Sequence, residues 1–373
     1  MKNKIEAIDY LRGLAILAII VIHILAWHDN AIWTEYTSIP RLFALRDFLQ
    51  FSVVTVIICS GFSLYMAHGQ LSLNKADLTN FYKKRVKRLL FPWWIFLAVF
   101  FSFHFLIKQI FNVQLIELSW SYVLLSFSMI GGIGFGWLVL LMLIMTLLFP
   151  FLKYLYDHSR KAVLFSFAVA AYLLSFALFK INPTNTLDFG APMASASSAS
   201  VAFLAISFIV GWSMVYMIGF FLEQFYNDHP SLKKELRLTF FSIGLFLLVS
   251  AIYSGLGIGE YLYLNKYPPS PTYISLGLMM TFILLSLFFS FQHVIHTHLK
   301  RVMTFLSSNS YWLFMWNALT LSIITPFLGL FSFSSVYLKL ALDILLNVIG
   351  VVLLVFLQKG LLKIEIHYEK HHF

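Results

Sequence analysis

The stretch Leu11-Arg12-Gly13-Leu14-Ala15-Ile16-Leu17-Ala18-Ile19-Ile20-Val21-Ile22-His23 decides the fold. One arginine and one histidine bracket ten residues, none of them polar. Crossing roughly 30 Å of hydrocarbon takes about 20 such residues in a helix. The run, taken as 12–29, is long enough. It is too long for a cleaved signal peptide, and Trp27-His28-Asp29-Asn30 after it offers no small-residue cleavage site. A helix turns about 100° per residue, so eleven steps return a side chain to within about 20° of its starting direction. Arg12 and His23 are therefore expected on one face, roughly 16 Å apart along the axis.

Outward from this helix the pattern repeats. Nine further apolar runs lie near 49–68, 89–107, 134–156, 162–180, 201–225, 239–256, 274–292, 306–327 and 337–357. A shorter run, 119–130, precedes Gly131-Gly132-Ile133-Gly134-Phe135-Gly136 and reads as a re-entrant or interfacial piece. Hydrophobic residues make up 60% of the 373 and charged residues 11%. Soluble domains carry about 45–50% and about 25%. So few charges do not cover the surface of a soluble globule this large. A soluble enzyme, a disordered tail and a nucleic-acid reader are excluded. The expectation is an all-α integral membrane protein of about ten transmembrane helices, one domain over 1–373 with no fused soluble domain. The single Cys59 allows no intramolecular disulfide.

The formal net charge is +10, and its distribution sets an orientation. With the N-terminus inside and ten alternating spans, the inner segments hold 19 Lys and Arg and the outer segments 6, with Arg12 at the first helix's inner end. That is the positive-inside asymmetry, and it puts both termini in the cytoplasm. The 181–200 loop, rich in Ser and Ala, is then external.

An ionisable side chain within a span is costly and marks a functional hypothesis. His23 is the strongest, because its face leads to a cation at the inner boundary. Both groups also have structural readings, Arg12 reaching the headgroups and His23 bonding a neighbouring helix. In Phe81-Tyr82-Lys83-Lys84-Arg85-Val86-Lys87-Arg88, five of eight residues are cationic. Arg85 and Arg88, three apart on a helix, face one way and suit a phosphate. Contact with anionic lipid is the alternative. Cys59-Ser60-Gly61-Phe62-Ser63 supplies small residues for close helix packing or for passage of a thin cofactor arm. Lys266-Tyr267-Pro268-Pro269-Ser270-Pro271 forms a stiff external entry where Lys266 and Tyr267 could meet an acceptor, or an ordinary rigid loop. His28 lies about 140° round from His23, off the shared face. His293, His296, His298 and the terminal His367, His371 and His372 show no metal-ligand spacing, and no metal is expected.

These residues resemble the acyltransferase-3 family of integral membrane O-acyltransferases. Ile5 to His23 is similar to its opening pattern, in which ten residues separate an Arg from a His. Ser60-Gly61-Phe62 resembles its SGF, Arg85-Val86-Lys87-Arg88 with Pro92 its RxxR…P, Gly136-Trp137-Leu138 its fourth-span entry and Tyr216-Met217-Ile218-Gly219 its sixth-span motif. Lys266-Tyr267-Pro268-Pro269 matches a subset of members. The ordered set covers almost the whole chain. One position departs: Asn317, in Ser310-Tyr311-Trp312-Leu313-Phe314-Met315-Trp316-Asn317, stands where many members have a histidine. It keeps a hydrogen-bonding group but does not titrate.

The resemblance implies transfer of an acyl group, usually acetyl, from cytoplasmic acyl-CoA to a hydroxyl of a cell-surface glycan or lipid-linked sugar, in a bacterial plasma membrane. It assigns His23 as general base. Arg12, Arg85 and Arg88 receive the coenzyme phosphates, Ser60 and Gly61 line the arm's path, and Lys266, Tyr267 and Asn317 stand on the acceptor side. The rival class is a proton-coupled exporter of a glycan or lipid-linked intermediate, which a buried His with an Arg also suits. Paired broken helices in two related halves would mark many transporters, and the sequence has one Gly-interrupted stretch, 131–136, without a counterpart.

Overall fold

The computed structural model describes residues 2–26, 39–129, 132–181, 198–227, 232–256, 269–292 and 294–361. Lys266, Tyr267, His28, His293 and the terminal histidines lie outside them. Among the described residues every regular element is a helix: α1 (Lys2–Ala26), α2 (Pro40–Leu49), α3 (Phe51–His68), α4 (Lys75–Phe111), α5 (Trp120–Ser128), α6 (Gly136–His158), α7 (Lys161–Ile181), α8 (Ser198–Asn227), α9 (Leu232–Gly255), α10 (Pro271–Phe291), α11 (Thr297–Ser308), α12 (Ser310–Gly329) and α13 (Val336–Leu361).

Among the described residues, nine helical stretches are long and apolar enough to cross a membrane. The fifth expected span, 162–180, is α7, whose described apolar stretch Lys161–Ala177 is shorter. The second is α2 and α3 in near-continuation, Pro40–His68. The third is much longer than the apolar run: α4 has 37 residues and carries the basic cluster 83–88 about two turns in from its start. Local chemistry sets its ends. Asn74 caps it by accepting from the Asp77 N–H at 2.9 Å, and Asn112 closes it in the left-handed region at φ 53°. Residues 119–130 hold the short α5, capped by Ser119.

The span expected at 306–327 begins later, at Ser310. The residues before it form α11, a separate helix that buries Met303, Leu306 and Ser307. Its apolar side is one stripe too narrow to read as a span, yet it packs tightly along α1.

α1 is central: it packs against α2, α3, α10, α11, α12 and α13. The most extensive helix pairing is α3 with α8. A Cβ on Gly61 would stand 2.1 Å from the Tyr216 carbonyl oxygen, and one on Gly219 2.3 Å from that of Ile58. Only hydrogen fits at either place. Without a hydrophobic force between helices in lipid, such close backbone approach supplies the dispersion contact. Hydroxyls add to it: Thr55 and Thr281 meet at 2.8 Å between α3 and α10.

Candidate active site

The site grows from two ends of α1. Near its start, acidic and basic groups are each fixed to another helix. Lys300 on α11 donates to Glu6 at 3.0 Å, and Ser307 on α11 donates to Asp9 at 2.6 Å. Arg12 turns to α3, where its guanidinium donates to Ser63 Oγ at 2.5 Å and to the Cys59 carbonyl at 3.0 Å. Two of five N–H donors are thereby committed to holding the helices together. Arg12 is half-buried, and these bonds direct it into the bundle.

Eleven residues on, His23 is also half-buried. Asn317 of α12, wholly buried, brings its amide to His23 Nδ1 at 2.8 Å. The Phe135 ring meets the imidazole edge-on at 4.2 Å between centroids, and Phe314 flanks it at 5.8 Å. The imidazole is thus set in an aromatic wall, with Asn317 as a polar partner on a facing helix. Asn317, read from sequence as acceptor-side, stands directly against the expected base. The two residues are 294 apart in the chain, so only the packing of α12 on α1 reveals the pair.

The remaining expected residues lie in two groups. Arg85, half-buried on α4, donates to His68 Nε2 at 2.5 Å, and Arg88 is exposed one turn on. A cavity of about 690 Å³ is lined by Tyr65, His68, Asp77, Lys84, Glu223 and Gln224; Arg85 reaches it through His68, and Arg88 is not in its lining. Its deeper wall is hydrogen-bonded: Tyr65 donates to Asp157 at 2.7 Å and accepts from Gln224 at 2.9 Å, and Lys153 pairs with Asp157 at 2.7 Å. Ser60 and Gly61 belong to the helix contact. Ser60 donates to Val56 O at 2.8 Å within α3, and Gly61 faces the α8 backbone. Between Arg12 and His23 the shared face carries Ile16 and Ile19, each 2% exposed.

One further polar centre escaped the sequence reading. Asp343, wholly buried on α13, accepts from Thr325 at 2.9 Å and from Asn347 at 2.8 Å. A carboxylate inside the expected span 337–357 was its available signal. Glu235 on α9 is wholly buried as well. Among the described residues no group of three or more His, Cys, Asp or Glu side chains could hold a metal ion.

A family model described as an acyltransferase domain, acyltransferase-3, matches residues 5–357. No curated protein and no solved structure matches the chain.

Proposed function

The chain belongs to the acyltransferase-3 family, and on that premise, with its apolar helices of membrane-spanning length, we propose that it is a multi-pass membrane acyltransferase acting between acyl-CoA in the cytoplasm and a hydroxyl of a cell-surface glycan or lipid-linked sugar. Acetyl is the acyl group proposed, and the bacterial plasma membrane the location. The observation that carries this reading is His23: an imidazole within a membrane-length helix, half-buried and held by Asn317.

The coenzyme's phosphates do not enter hydrocarbon, so they need cations at the inner face. Lys84 in the cavity lining and Arg85 bonded to His68 of its wall suit them, with Arg88 exposed one turn further along α4. Arg12 adds a fixed positive charge deeper in the bundle. His23 then takes the proton of the acceptor hydroxyl. The acceptor oxygen bonds to the thioester carbonyl carbon, the carbon–sulfur bond breaks, and the proton passes from the imidazole to the leaving thiolate. A proton shuttle of this kind contributes about 10²–10⁴-fold.

The test uses membranes from cells expressing the chain and acetyl-CoA labelled in its acetyl group. Label should pass to lipid-linked or surface glycan with release of free thiol. Transfer should fall about 10²–10⁴-fold in His23→Ala. An unchanged rate in that variant overturns the mechanism, and uptake of glycan without thiol release would favour an exporter.

A further inference from the structure

We propose that His68 is the phosphate-contacting group of the cavity wall: its Nδ1–H donates to a phosphate of the donor beside Lys84, and Arg85 is the positioning residue that holds the ring from behind. The proposal deepens the reading of this cavity as the place of the coenzyme phosphates and rests on it.

The Arg85–His68 contact has one chemical sense. A guanidinium carries N–H donors and no acceptor. At 2.5 Å from the Arg85 NH2, His68 Nε2 therefore presents a lone pair. A hydrogen on that nitrogen would set N–H against N–H. The ring is then neutral, and its hydrogen sits on Nδ1. Nδ1 has no protein partner among the described residues and is not one of their sealed, unpaired polar atoms. His68 is half-buried and lines the cavity. Its Nδ1–H is thus available to a cavity ligand. Two aromatic contacts from different helices fix the ring plane: Phe81 of α4 at 5.2 Å and 81°, and Phe149 of α6 at 6.5 Å and 71°.

Lys84, next to Arg85 in sequence, lines the same cavity. A mobile ammonium and a fixed N–H suit the several oxygens of a phosphate. The guanidinium on Nε2 polarises the ring and strengthens Nδ1–H as a donor. It also opposes a second proton on the ring, which would fall on Nε2 and expel the guanidinium. Two carboxylates, Asp77 and Glu223, share the lining. They repel an anion, so the His68–Lys84 pair sets where in the cavity a phosphate sits. Read from sequence, Arg85 meets the phosphate itself. In the structure it is bonded to His68, 17 residues back across the α3–α4 turn, and is not in the lining.

Coenzyme A itself is the probe, so neither acyl group nor acceptor is needed. Its binding to the full chain in detergent micelles is measured by titration calorimetry. His68→Leu removes the donor and should weaken binding about tenfold or more, as loss of a charge-assisted bond does. In His68→Gln one end of the amide accepts from Arg85 and the other donates into the cavity, which should recover most of that loss. Adding Arg85→Ala to His68→Leu should weaken binding little further, because Arg85 acts through His68. Undiminished affinity in His68→Leu, or fully additive losses in the double variant, overturns the proposal. In acyl transfer, His68→Leu should raise the KM for acetyl-CoA while kcat holds. If His68→Leu fails to fold, the unsubstituted chain still decides. Its histidine rings are labelled with ¹⁵N, and the His68 resonances are assigned by difference from His68→Gln. About 1.5 pH units above the ordinary imidazole value, the His68 hydrogen should be on Nδ1, and its signal should move when coenzyme A is added. A hydrogen on Nε2, or a signal that saturating coenzyme A leaves in place, overturns the proposal. Failure of the acyl-transfer reading looks different: His23→Ala would transfer normally while coenzyme A binding kept its dependence on His68.

Discussion

α1 and α9 have nearly equal mean hydropathy, 2.1 and 1.9. They sit in opposite surroundings. Of the most apolar window in Glu6–Ala26, 67% is buried, against 11% for Leu232–Gly255. The difference lies in the polar residues. Those of α1 reach three different helices: Glu6 and Asp9 meet α11, Arg12 meets α3 and His23 meets α12. Those buried on α9 fall on one stripe, Glu235, Thr239 and Ser242, while Phe240 and Phe241, each 70% exposed, face outward. Hydropathy tells that a helix lies in the membrane. The angular spread of its polar groups tells how deep in the bundle it lies, because each such group needs a partner that lipid does not supply.

Breaking α1 where it is polar gives the largest expected effect. His23→Ala should lower acyl transfer about 10²–10⁴-fold, which is about 3–5 kcal/mol of barrier. Phe241→Ala on α9 should change it less than about twofold, since that ring packs on no interior surface. Labelled acetyl transfer in membranes of equal protein content measures both. Comparable losses in the two variants would erase the contrast between the helices.

α4 sharpens the contrast, because it combines both behaviours. Its middle buries Trp93, Phe96 and Leu97, its far end exposes Ile110 and Phe111, and its N-terminal half carries Arg85 and Arg88. If those two arginines meet coenzyme phosphates, Arg85→Ala with Arg88→Ala should raise the KM for acetyl-CoA about tenfold or more with little change in kcat. A charge-assisted bond is worth about 1.5–3 kcal/mol. Contact with lipid alone predicts an unchanged KM. A packing test follows at similar magnitude: Gly219→Leu would drive a side chain into the α3 backbone, where even a Cβ comes within 2.3 Å of Ile58 O. Overpacking costs about 1–3 kcal/mol and should lower the thermal midpoint in detergent. The substitution Gly244→Leu on α9, where a Cβ meets nothing within 4 Å, should leave the midpoint nearly unchanged.

What the sequence discloses follows the same division. The spans are legible because hydrocarbon thickness imposes a length on each helix. The Arg12–His23 relation is legible because both lie on one helix. α11 is not, since Thr297–Ser308 has a single narrow apolar stripe and runs into the next span with only Asn309 between. Gly61 reads as a packing surface before it reads as a passage, and Tyr216 beside it bears out the packing. Asn317 is visible as a polar residue in a span, but its nearness to His23 is a property of two helices that meet only in three dimensions.

The smallest expected effect probes the weakly buried member of the pair. Thr239, on the inward stripe of α9, donates to the Phe282 carbonyl at 2.9 Å and lies 2.7 Å from Ser286 Oγ on α10. Valine has nearly the same shape and no hydroxyl. Interhelical bonds of this kind average about 0.6 kcal/mol in membranes, because the separated helices find other partners. Thr239→Val should therefore lower the thermal midpoint only slightly and leave transfer untouched. The analogous Ser307→Ala, which strands Asp9 of α1 without its donor, should cost more, about 1–3 kcal/mol. If Thr239→Val proved the more damaging of the two, polar attachment would matter as much at the bundle's edge as at its centre, and the inference from polar spread to depth would fail.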